Sequence, residues 1–133
     1  MDAGVEDFLA VALGGVVGAV SRWVLSSFIQ SRTGPFFPWG TLVVNLLGSL
    51  LLGFVASAAM LGYFPRWWRL FLATGLAGSL TTFSTFAYET ITLLADYSPW
   101  AAAANIAANL TLGLLGVYAG TVAARVLASV GRP

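Results

Sequence analysis

Gly75-Leu-Ala-Gly-Ser-Leu-Thr-Thr-Phe-Ser-Thr-Phe86, followed by Ala87-Tyr88-Glu89, lies in the middle of an apolar stretch that covers about residues 70–94. Five hydroxyls and two glycines fall within it, where a bilayer would be driest. Two readings are open. In one, the helix is continuous and its Ser and Thr side chains bond back to their own carbonyls. In the other, the helix breaks near residues 78–82. Irregular backbone survives at membrane depth only where protein or a cavity satisfies the freed groups. Such breaks form ion sites in transporters, with free carbonyls for cations and helix N-termini for anions. On composition alone the two readings weigh evenly.

The surrounding chain sets the context. Of 133 residues, 59% are hydrophobic and 8% are charged, against about 25% charged in a soluble domain. So few charges cannot coat a water-facing surface, and lipid must solvate most of the exterior. The net charge of +1 comes from six arginines and five acids, with no lysine. There is no polybasic patch for nucleic acid, and soluble-enzyme readings fail on the same composition. Cysteine and histidine are absent, which removes disulfides, thiolate chemistry and histidine acid–base catalysis. Asp2, Glu6 and Asp7 give the first residues the wrong charge for a cleaved signal peptide, so the first apolar segment is expected to stay in the mature protein.

A spanning helix needs about 20 apolar residues. Four such segments are expected, at about 8–28, 39–61, 70–94 and 100–127, and they make the chain a single all-α integral membrane unit. Trp39, Trp67, Trp68 and Trp100 stand at span entrances, where an interfacial aromatic belt places them. Arg66, Arg69, Arg125 and Arg132 share one side of this topology, with Arg32 and Arg22 towards the other. The positive-inside rule then favours a cytoplasmic N-terminus, while insertion in both orientations stays open.

At 100° per residue, three spans each gather small and polar residues on one face. Asn105, Asn109, Gly113, Gly116 and Gly120 fall within one arc of about 80°. Thr41, Asn45, Gly48 and Ser49 do so on the second span, and Gly14, Gly18, Ser21 and Arg22 on the first. For the glycines, close helix packing is the preferred explanation. For each Asn, packing and function weigh evenly. A charge at the bilayer centre costs about 2.5–3.5 kcal/mol even on the lenient scale, so Arg22 either snorkels to the interface or meets water, a partner or an anion.

At these residues the sequence resembles the Fluc (CrcB) family of fluoride channels. The likeness runs through Gly14-Gly-Val-Val-Gly-Ala-Val-Ser-Arg22, Gly40-Thr-Leu-Val-Val-Asn45-Leu-Leu-Gly48 and Gly78-Ser-Leu-Thr-Thr-Phe-Ser-Thr-Phe86 with Tyr88-Glu89. The Thr-Thr-Phe-Ser-Thr-Phe string, in the third of four spans of so short a chain, is the specific part. The resemblance implies a third helix broken at its middle and a dual-topology, antiparallel homodimer with two fluoride pores and one sodium ion on its axis. Some members pair as oppositely oriented heterodimers, and the uneven arginines leave that open here.

By position, the resemblance makes Phe83 and Phe86 the pore phenylalanines and Asn45 the second-span asparagine that meets fluoride. Ser84, Thr85 and Glu89 become the polar groups that pass the ion beyond the rings. Gly78 and Thr81 become the backbone-carbonyl ligands of sodium, and Arg22 the arginine near the pore mouth. Asn105 and Asn109 stand where many members carry a Tyr and a Ser. Both can donate hydrogen bonds, and Asn109 is counted with the fluoride-facing residues.

The residue types suit this ion. Fluoride is small and strongly hydrated, so a pore must replace its water with hydrogen-bond donors, and a phenyl ring offers a positive edge. Hydrogen fluoride enters cells as a neutral molecule and ionises inside. A passive pore then lets fluoride out, driven by about 2.3 kcal/mol per 100 mV of inside-negative potential. The expected function is fluoride export across a prokaryotic cell membrane, protecting against toxicity, with no enzymatic step. Two alternatives stand beside it. A proton-coupled multidrug exporter needs a carboxylate deep in the first span, and none follows Asp7 there. A non-transporting assembly subunit would use the polar faces only as glue.

Overall fold

The computed structural model describes residues 4–130, so Asp2 and Arg132 lie outside the described residues. The described residues are helical apart from short connections. Helix α1, Val5–Thr33, ends at Gly34, whose φ of 84° opens the turn. The Gln30 side chain knits that turn, donating to the carbonyls of Gly34 and Phe37 and accepting the Gly40 N–H.

Helix α2, Trp39–Met60, closes in a Schellman motif. Gly62 takes φ 86°, its N–H bonds Ala59 O, and the Tyr63 N–H reaches back to Ala58 O. A left-handed glycine at this position satisfies carbonyls that the helix end would otherwise orphan.

The third apolar run is less regular. Helix α3 starts at Arg66–Arg69, widens to i→i+5 winding over Leu70–Ala77 and ends with Gly78–Leu80. Thr81 (φ −79°, ψ 155°) and Thr82 (φ −150°, ψ 111°) are then extended. Helix α4 begins at Phe83–Thr92 and continues, again wide-wound, through Leu93–Tyr97. Helix α5, Pro99–Val130, opens with proline at its first position, where no N–H is needed. The Ser98 hydroxyl accepts the Ala101 N–H at 3.1 Å, as a helix cap does.

Packing is built on glycine. Between α1 and α3, Gly14 lies against the backbone of Phe71 and Leu76, Gly18 against Leu76 O, and Gly75 against Gly14 itself. Between α2 and α5, Gly53 faces Val117 O, and Gly120 faces Leu50 O and Phe54 N. At most of these contacts an added Cβ would strike backbone. The small-residue faces on the first and fourth spans therefore bring helices together, as small residues do inside a bilayer.

Four helical runs are long and apolar enough to cross a membrane: Val5–Thr33, Trp39–Met60, Arg66–Tyr97 and Pro99–Val130. Their outer faces carry exposed Leu, Val, Phe and Trp side chains along the whole length of the bundle, a surface that lipid solvates and water does not. The architecture is that of a four-span membrane protein. At one end Arg66 pairs with Asp7 at 2.7 Å, tying the start of α3 to the start of α1.

Candidate functional site

The site forms around the two extended threonines. In an unbroken helix the Thr82 N–H would bond the carbonyl of Gly78, four residues back. Here it is donated to Asn45 Oδ1 on α2, at 2.8 Å. The Thr85 N–H, which would bond Thr81 O, goes instead to the Thr82 hydroxyl at 3.3 Å. Thr82 thereby caps α4, and its own hydroxyl donates to Thr85 Oγ1 at 3.0 Å. The Gly78 and Thr81 carbonyls thus both lose the partners that a continuous helix would give them. Thr81 itself remains tied to the end of α3, its N–H bonding Ala77 O at 3.2 Å.

Asn45 does more than accept. Its amide nitrogen donates to Asn109 Oδ1 at 2.9 Å and, at the long distance of 3.4 Å, to Thr82 O. Asn109 gives both amide hydrogens to Asn105, one to the backbone carbonyl at 3.1 Å and one to Oδ1 at 3.0 Å. Asn105 donates to Thr90 Oγ1 at 2.9 Å, and the Thr90 hydroxyl bonds Phe86 O at 2.7 Å.

A groove of about 270 Å³ runs beside this junction, lined by Asn45, Asn109, Thr81, Thr82, Phe83 and Phe86 among others. The two phenyl rings are 5.6 Å apart between centroids and tilted by 57°. Their burial differs: Phe83 is 77% exposed, whereas Phe86 is 9% exposed.

Glu89 lies one turn further along α4, at a second hollow of about 330 Å³ that it shares with Gln30, Phe36, Tyr88 and Tyr97. Thr41 on α2 donates its hydroxyl to Glu89 Oε1 at 2.7 Å, and Glu89 Oε2 is buried with no partner among the described residues.

The structure therefore brings Asn45, Asn109, Phe83, Phe86 and Thr81 to one groove and puts Glu89 at the next. Ser84 and Thr85 are exposed on α4 and line neither hollow, nor does the exposed Gly78. Arg22 is half-buried on α1, away from both. Sequence reasoning left Thr82, Thr90 and Thr41 out of the site. Thr82 carried a usable signal, since a Thr directly before a helix is a favoured cap. Nothing in the order of residues joins Thr90 to Asn105 or Thr41 to Glu89.

Comparison with known proteins adds a separate line of information. The sequence model of the family described as CrcB-like protein, Camphor Resistance (CrcB), matches residues 9–121. A protein of Geobacter sulfurreducens named fluoride-specific ion channel FluC is 43% identical over 120 residues, which cover 90% of this chain and 97% of the relative. A Clostridium perfringens protein of the same name is 44% identical over 120 residues, with 90% and 94% covered. Another from Shewanella oneidensis is 42% identical over 115 residues, with 86% and 93% covered.

Proposed function

The chain belongs to the CrcB family, and on that premise we propose that it is a passive, fluoride-selective channel that lets fluoride leave the cytoplasm. Such a pore moves an ion down its gradient and makes no bond, so it is a channel and not an enzyme. The relatives that carry the fluoride-channel name are bacterial, and the cell membrane of a prokaryote is the place where this export protects against toxicity.

The observation that carries the reading is the capture of the Thr82 N–H by Asn45, beside a groove that holds Phe83 and Phe86. We read the extended pair Thr81–Thr82 as a break of the third span at membrane depth. The N-terminus of α4 supports an anion there, because its first N–H groups lack helical partners and sit at the positive end of the helix dipole. The Ser84 and Thr85 hydroxyls lie in that first turn. Phenyl edges and the weakly engaged second hydrogen of Asn45 add to the donor set. Glu89, held by Thr41, stands at the adjoining hollow.

Phe83 is a large apolar ring left exposed beside this polar groove, and a second subunit would cover it. The proposed working unit is an antiparallel pair, either two copies of this chain or this chain with a related one, surrounded by membrane lipid. Sodium fits the residues present. The carbonyls of Gly78 and Thr81 are those released from helical bonding, and bare carbonyl oxygens suit a hard monovalent cation. Two from each subunit would hold it on the dimer axis, and its charge would raise the potential felt by a passing anion.

Fluoride-electrode recordings of efflux from reconstituted liposomes test the proposal. Wild-type protein should empty fluoride-loaded vesicles without acidifying them. Phe83→Ile and Asn45→Asp should each slow efflux by at least about tenfold, the rate factor of one lost hydrogen bond or comparable contact. Absence of wild-type efflux would refute channel function, and equal rates in all three proteins would refute the site.

A further inference from the structure

Asn105 is 0% exposed and touches neither hollow. It nevertheless joins an unbroken run of hydrogen bonds: Thr82 N–H to Asn45, Asn45 to Asn109, Asn109 to Asn105, Asn105 to Thr90, and Thr90 to Phe86 O. Both ends lie on the α4 segment, while the middle passes through α2 and α5. We propose that Asn105 is a positioning residue for ion passage, acting through Asn109 and Asn45 to hold the Thr82 N–H away from the helix. This rests on the channel reading given above.

The sense of the run is fixed by its ends. A backbone N–H can only donate and a backbone carbonyl can only accept. With Thr82 N–H at one end and Phe86 O at the other, each amide between them has one workable orientation. Asn105 must point its nitrogen at Thr90 and its oxygen at Asn109. Asn109 must then turn its nitrogen away from the groove and its oxygen towards Asn45. Asn45 is left with an oxygen free for the Thr82 N–H.

If the anchor at Asn105 is removed, only the backbone carbonyl of residue 105 still holds the Asn109 nitrogen, and the amide can turn end for end at the cost of that one bond. Its nitrogen would then face the nitrogen of Asn45, and Asn45 would have to reverse. Reversed, it would present donors to the Thr82 N–H, which would return to Gly78 O. The groove would lose its shape through a residue that never touches it. Aligned bonds in a low-dielectric interior polarise one another, which couples such distant members. The competing explanation is that Asn105 and Thr90 merely glue α4 to α5.

Three variants decide between these in the same efflux assay, alongside elution profile and thermal midpoint in detergent. Thr90→Ser keeps the hydroxyl and should conduct as wild type. Thr90→Val keeps the shape, strands the Asn105 nitrogen and should slow efflux about tenfold, as one lost hydrogen bond does. The pair Thr90→Val with Asn105→Leu removes both partners of the Asn105–Thr90 bond and should recover the stability that Thr90→Val alone loses there. It leaves Asn109 only the backbone carbonyl of residue 105, so efflux should stay slow.

If the apolar pair recovers efflux together with stability, Asn105 is glue and the inference fails. If Thr90→Val conducts as wild type, it fails as well. Should Thr90→Val not assemble, the apolar pair set against Thr90→Ser carries the comparison. The wild-type trace keeps the two levels apart, since a silent wild type refutes the channel itself, whereas a conducting wild type with unaffected variants refutes only the role of Asn105.

Discussion

The hydroxyl of Thr41 donates to Glu89 Oε1 at 2.7 Å, joining α2 to α4 across 48 residues of sequence, while the other carboxylate oxygen of Glu89 is buried without a partner among the described residues. The pair sits one helical turn from the groove. A buried acceptor deprived of its donor costs about 1–3 kcal/mol, so this single bond bears heavily on the local structure.

Thr41→Val should therefore lower the thermal midpoint in detergent by the equivalent of about 1–3 kcal/mol, and Thr41→Ser should leave it unchanged. Unfolding followed by intrinsic tryptophan fluorescence reads the difference. Equal midpoints for the Val and Ser variants would show that water or lipid headgroups serve Glu89 just as well.

Gly113 and Gly120 lie on the same face of α5, yet they should respond differently to alanine. At Gly120 a Cβ would strike Leu50 O and lie against Phe54 N, whereas at Gly113 the nearest atom is Ser49 Oγ at 3.7 Å. Overpacking costs about 1–3 kcal/mol, and backbone cannot swing aside. Gly120→Ala should lose monodisperse elution or melt early, and Gly113→Ala should behave as wild type. A tolerated Gly120→Ala would mean that α2 and α5 can slide apart without penalty.

The two phenylalanines should separate stability from flux. Phe86 is 9% exposed and Phe83 is 77% exposed. Truncating a buried Phe costs about 3–5 kcal/mol, so Phe86→Ala should reduce both the yield of folded protein and the efflux. Phe83→Ile should melt as wild type while conducting slowly. A destabilised Phe83→Ile would instead make that ring a packing element.

Sodium offers a test by removal. If the carbonyls of Gly78 and Thr81 hold it, replacing all sodium by a larger cation during purification and assay should lower fluoride flux, and restoring sodium should recover it. Flux that does not depend on the cation would count against those two carbonyls as ligands.

Much of the fold was legible because a bilayer imposes a simple rule. Apolar runs of sufficient length, punctuated by Gly34-Pro35, Pro65 and Pro99, mark four spans without reference to any contact. The glycine faces were equally readable, since Gly14, Gly18, Gly116 and Gly120 recur at helical spacing and bury where helices cross. The motif around Phe83 and Phe86 lies where the structure places a groove. Composition could not weigh the threonines against one another. Thr81, Thr82, Thr85 and Thr90 are the same residue type, yet one remains with α3, one caps α4, one accepts that cap's hydroxyl and one links Asn105 to Phe86 O.

The sequence by itself determined the solvent, the number of spans and the faces along which helices meet, because those follow from local periodicity and the cost of bare backbone in lipid. Tertiary structure alone decided the fate of the Thr82 N–H. Two acceptors compete for it: Gly78 O, four residues back on the same helix, and Asn45 Oδ1, 37 residues away on α2. Local spacing favours the first, and only the close approach of α2, which brings the Asn45 amide oxygen to 2.8 Å, gives the bond to the second.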